Sequence, residues 1–123
     1  MKRYVYILIL IIASNVLFSQ KTQTVITKIA FGSCGDQSKP QPILNLVTKY
    51  SPDIFLYLGD NIYADTKDMD ELKAKYDMLG AKPEFKKLKA STKILATWDD
   101  HDFGWNDVGR HYPFKEKSKE LFM

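Results

Sequence analysis

Three short apolar runs dominate this chain, at residues 25–31, 53–58 and 93–97, and each breaks at its carboxyl end into Gly, Asp or Cys. The first is rich in β-branched residues, the second compact with Phe55 and Tyr57, and all three read as strands. Between them lie helical patterns. Pro42 opens one whose apolar side is Ile43, Leu44, Leu46 and Val47, closed by Ser51 and Pro52. Asp68, with Glu71 three residues on, caps a second that runs through Leu72, Tyr76 and Leu79 and ends near Gly80. Pro83 starts a third over 84–90. Strand, helix, strand, helix, strand implies an α/β fold, a βαβαβ unit with right-handed crossovers and a mainly parallel sheet. Beyond Phe103 only 115–122 has helical character, and three strands make a thin sheet with open edges, so an incomplete domain is expected.

The first twenty residues read differently. Lys2 and Arg3 precede the apolar run 4–13, and Ser19 and Gln20 close it, the pattern of a Sec-type secretory signal peptide. Ser14 and Asn15 interrupt the run before the ~18 residues a spanning helix needs, so export to the periplasm or exterior is expected, with no stable membrane span after cleavage. Cleavage removes two positive charges and lowers the formal net charge from +3 to +1. A nearly neutral chain without a basic block gives no reason to expect nucleic acid as a partner. Residues 21–123 suffice for one small domain at most. The single cysteine, Cys34, has no internal disulfide partner. It is a buried apolar side chain or a free thiol kept for chemistry, and a thiol redox role lacks a resolving partner.

In open α/β sheets, ligands collect outside the carboxyl ends of the strands. Three such ends here carry Cys34, then Asp60 with Tyr63, then Asp100 with His101. Taken alone, 98–102 is compatible with loop punctuation, but three strand ends with potential ligands point to one convergent site. Hydrolysis of a phosphate ester at two metals needs a bridging carboxylate, a bound water made acidic enough to attack, and a proton source near the leaving oxygen. Asp60, preceded by Gly59, suits the bridge, and Tyr63 lies three residues on. A phenolate and a thiolate together favour ferric iron over magnesium. His101 is placed to donate a proton, oriented by Asp99 or Asp102.

At Gly32-Ser33-Cys34, Gly59-Asp60-Asn61-Ile62-Tyr63 and Trp98-Asp99-Asp100-His101-Asp102 the chain resembles the PhoD-like alkaline phosphatases and phosphodiesterases of the metallophosphatase (calcineurin-like phosphoesterase) superfamily. That resemblance covers nearly all of 21–123 and corresponds to the N-terminal part of a sheet sandwich with flanking helices, truncated at its C-terminus. It implies iron at Cys34 and Tyr63, a bridging role for Asp60, a second metal, calcium or another divalent ion, at Asp100, and His101 with Asp102 as the catalytic pair. Asn61 and Arg110 are the expected substrate contacts, and the substrate is a small phosphate ester. Full-length members add histidine ligands from a second half, whereas beyond His101 this chain holds only His111. His111 reads as surface, as does the Lys-rich stretch 86–89, while Trp98 and Trp105 read as packing and Asn106 and Asp107 as a turn. The shortage of histidines keeps a rival open: an inactive fragment, or a non-catalytic domain that holds a metal or an anion. Oligomeric state and substrate identity are not written in these motifs.

Overall fold

The structure, a computed structural model, describes residues 25–123. The expected leader over 1–20 lies outside the described residues. Strands β1 (Ile29–Gly32), β2 (Ile54–Leu58) and β3 (Lys93–Thr97) form a parallel sheet in sequential order. Among the described residues five helices complete the α/β architecture: α1 (Ile43–Tyr50), α2 (Met69–Ala81), α3 (Pro83–Ser91), α4 (Asp100–Phe103) and α5 (Lys115–Phe122). Among the described residues no helix is long and apolar enough to cross a membrane.

Period-two alternation decides which face of the sheet is covered. Phe55 and Tyr57 of β2 point to one face, where Leu44 of α1 and Leu88 of α3 close over them, with Ala30 and Ile94 from the flanking strands. Right-handed crossovers between neighbouring parallel strands put connecting helices on one side, and α1 and α3 share this face. The opposite face carries Ile29, Phe31, Leu58 and Leu95, all largely exposed; Phe31, Leu56 and Leu95 stand in register across it.

A second core lies beyond the carboxyl ends of the strands. Ile62 and Ala64, from the loop that follows β2, pack with Leu72 and Leu79 of α2 and with Leu121 of α5. Asp68 caps α2 as its spacing predicts, accepting from the backbone N–H groups of Asp70 and Glu71 at 2.8 and 3.3 Å.

Two elements differ from the sequence expectation. The first strand begins at Ile29 rather than residue 25, because its pairing with β2 starts at Ile29 opposite Ile54. Residues 27 and 28 are instead held by the Asp53 carboxylate, which accepts from both their N–H groups. The stretch after β3 is a one-turn helix, α4, fixed by a reciprocal cap in which Asp102 accepts from the N–H of Asp99 and Asp99 serves the helix N–H groups.

Candidate metal and phosphate site

Three loops leave the same end of the sheet and are stitched together by backbone. Cys34 N–H donates to the Gly59 carbonyl at 3.3 Å and Gly35 N–H to that of Asp60 at 2.8 Å, joining the first loop to the second. Ala64 N–H donates to the His101 carbonyl at 3.2 Å and Thr66 N–H to that of Gly104 at 2.9 Å, joining the second to the third. Gly59 makes the closest approach. Its φ is +104°, and a Cβ there would lie 2.7 Å from the Cβ of Asp99, so only glycine lets the two loops touch.

Cys34, Asp60, Asp65 and Asp107 all have φ between +47° and +61°, a region L-residues seldom adopt. Such backbone strain concentrates where surrounding contacts hold a side chain in a required direction.

Asp60 is the common member of two groups. In the first its Oδ2 lies 3.7 Å from the Cys34 Sγ and 3.5 Å from the Tyr63 phenol oxygen. In the second group, Asp60, Asp100 and His101 each offer a ligand atom, all within 4.8 Å of one another. The second Asp60 oxygen, Oδ1, is buried without a hydrogen-bond partner. An unpaired buried carboxylate oxygen is costly, and a cation is the partner that these donors fit. Asp60 with Asp100 supplies hard oxygen ligands, while the Cys34 thiol and Tyr63 phenol suit a softer or more highly charged ion. Burial, then the thiol and the Asp60 carboxylate, push the Tyr63 phenol up to about 12, a direction that a bound cation reverses.

His101 is oriented by Asp65, not by Asp99 or Asp102 as expected. Its Nδ1 lies 2.7 Å from Asp65 Oδ1, which also accepts from the N–H of Asn106 at 3.0 Å. The carboxylate makes Nδ1 the protonated nitrogen and leaves Nε2 for the site. Desolvation lowers the His101 pKa, but the hydrogen bond and charge of Asp65, with Asp60 and Asp100 behind it, outweigh that and leave it raised. The Tyr63 ring packs against the imidazole at 4.5 Å between centroids.

Asp102 takes a different place from the one its neighbour suggested. Only 1% exposed, it turns away from His101 and accepts from Asn61 N–H at 3.0 Å, from the Asn61 amide and from Asp99 N–H. Burial raises its pKa against those donors. Asn61, expected at the substrate, spends its amide N–H groups on Asp102 and the Thr97 carbonyl, so its side chain ties the second loop to β3. Arg110 is exposed, lies beside Asp99 and Asp100 in an open cleft, and donates to the His111 ring. His111 is exposed. The backbone N–H of Asp107 holds Asp100 and, as the main cause, draws its pKa down.

Asp65 was absent from the expected set. The signal was a second acid in the same loop, five residues past Asp60, but its role depends on a left-handed turn that spacing does not reveal.

Neither a family model, a curated protein nor a solved structure matches this chain. The geometry of the site therefore carries the functional reading.

Proposed function

We propose that the chain carries the site of a metal-dependent phosphoric ester hydrolase of the PhoD-like kind, acting on phosphomonoesters or diesters. The supporting observation is the double membership of Asp60, whose carboxylate lies near a thiol and a phenol and also groups with a carboxylate and an imidazole. Cys34, Tyr63 and Asp60 would hold iron; Asp60 and Asp100 would hold calcium or another divalent cation. Cations bound there supply polarisation of the phosphoryl group and acidification of water.

The residues of the chain do the rest. Asp65 fixes the imidazole by its hydrogen bond to Nδ1 and leaves Nε2 to pass a proton to the leaving oxygen. Asp102 and Asn61 hold the second and third loops at one separation, which fixes the distance between Asp60 and Asp100. Tyr63 limits how far the His101 ring tilts.

The full chain, equilibrated with iron and calcium and assayed for bound metal, is expected to release nitrophenol from nitrophenyl phosphate or its bis ester. Asp60→Ala is expected to abolish both metal binding and turnover. Asp65→Asn is expected to keep the metal and lower kcat by about 10²-fold, the scale of a positioned proton donor. Metal retained without turnover of either ester overturns the hydrolase reading and leaves a binding domain.

A further inference from the structure

Gln37 lies in the loop after β1, three residues past Cys34, and is only 4% exposed. A buried amide is retained where both of its ends have partners. Here the partners are the two backbone groups of one residue. Tyr63 N–H donates to Gln37 Oε1 at 2.8 Å, and Gln37 Nε2 donates to the Tyr63 carbonyl at 2.9 Å. An amide that meets the N–H and the carbonyl of a single residue imitates the paired bonds of an antiparallel strand. One bond would leave a hinge. Two fix the rotation of the backbone, and with it the direction in which the Tyr63 side chain leaves the loop.

The clamp is itself anchored. Gln41, also buried, donates from Nε2 to the Asp36 carbonyl at 3.1 Å, and its N–H donates to Oε1 of Glu84, in the first turn of α3, at 2.8 Å. At its other end the loop is tied to the Gly59 and Asp60 carbonyls by the N–H groups of Cys34 and Gly35. The loop that carries the thiol therefore grips the second loop at Gly59, Asp60 and Tyr63. Beyond the last grip the phenol oxygen stands 3.5 Å from Asp60 Oδ2, the oxygen that lies 3.7 Å from the Cys34 sulfur.

We propose that Gln37 is the positioning residue for the Tyr63 phenol, holding it where the Cys34 thiol and the Asp60 carboxylate can share one cation with it. The proposal rests on the metal-site reading above. Gln37 acts on the thiol-and-phenol group alone. Asp60 and Asp100 are kept in place by other bonds: Asn61 to Asp102 and to the Thr97 carbonyl, and Ala64 N–H to the His101 carbonyl. Loss of the clamp therefore weakens iron and spares the cation held by Asp60 and Asp100. A residue that served stability alone would affect both ions together, through the fold.

Gln37→Met keeps the length of the side chain and removes both bonds. The full chain is titrated with ferric iron and, separately, with calcium. The visible phenolate-to-iron charge-transfer band reports Tyr63, and Tyr63→Phe is expected to abolish it. Gln37→Met is expected to weaken ferric binding by about 10–100-fold, the scale of a partner behind a metal ligand, and to leave calcium binding unchanged. Asp53→Asn, whose bonds lie at the opposite end of the strands, is expected to lower the Tm and to change neither affinity. Where circular dichroism shows Gln37→Met unfolded, Gln37→Glu, which keeps the acceptor and loses the donor, takes its place. A second arm needs no metal. The chain has two histidines, so NMR separates His101, whose ring packs 4.5 Å from that of Tyr63, from the exposed His111. The Gln37 variant is expected to move the His101 ring resonances and to leave those of His111 in place. Iron and calcium affinities that fall together, or His101 resonances that stay where they are, overturn the positioning role. A parent chain without the charge-transfer band overturns the iron reading instead, and the His101 shift then decides whether Gln37 places Tyr63.

Discussion

Gly59 and Gly80 show how one residue type carries opposite consequences. At Gly59 a methyl group meets Asp99 and the φ of +104° is hostile to any side chain, whereas at Gly80, within α2, a Cβ meets nothing within 4 Å. Gly59→Ala is expected to cost about 1–3 kcal/mol of stability, and Gly80→Ala to add about 0.5–1 kcal/mol, both read from urea unfolding of the full chain. The same contrast explains which site residues were legible. Cys34, Asp60, Tyr63, Asp100 and His101 sit at strand ends, and parallel topology forces strand ends together whatever the loops do. Asp65 and the inward turn of Asp102 were not legible, because each depends on one backbone dihedral or one reciprocal cap. Asp102 looked like the natural partner of His101 by adjacency. In a helical turn, adjacent residues point about 100° apart, and the pair diverges.

At the scale of elements, the helix punctuation was the most readable part. Pro42, Asp68 and Pro83 stand at helix starts for backbone reasons, since proline lacks an N–H that the first turn does not need and an aspartate accepts from N–H groups that nothing else serves. The start of β1 was less readable because an apolar sequence continues upstream of its pairing, and the chain there is anchored by Asp53 instead. That carboxylate accepts from Thr27 N–H at 2.7 Å, Lys28 N–H at 2.9 Å and the Thr27 hydroxyl at 3.0 Å. The backbone donors, first Thr27 and then Lys28, lower its pKa in the folded chain. A lowered carboxylate pKa contributes stability above the unfolded value, about 3.9, and loses it as pH falls through the folded value. Asp53→Asn is therefore expected to lower the Tm at neutral pH, with the gap to the parent closing in acid below the usual carboxylate range. A gap that persists unchanged in acid removes the ionised staple from the account.

At the scale of the whole molecule, the parallel sheet has one face built into a core and one face open. Ile29 and Phe31 of β1 and Leu95 of β3 stand on the open face, at 59%, 69% and 44% exposure, a contiguous apolar surface larger than scattered side chains make. The folded chain is expected to enhance the fluorescence of anilinonaphthalene sulfonate, a dye that reports exposed apolar surface. Phe31→Glu together with Leu95→Glu is expected to remove most of that signal with little change in the unfolding midpoint, since neither side chain belongs to either core.

The two cores are joined by the stretch from Tyr57 to Ile62 and by Phe85, which packs against both. Tyr57 belongs to the core under the sheet, Ile62 to the core under α2, and Asp60 lies between them on the connecting stretch. A ligand that ties Asp60 to Asp100 therefore fastens this connecting stretch to the turn after β3, and its binding free energy is added to the unfolding free energy of the chain. Ion occupancy and thermal resistance are then one quantity measured in two ways.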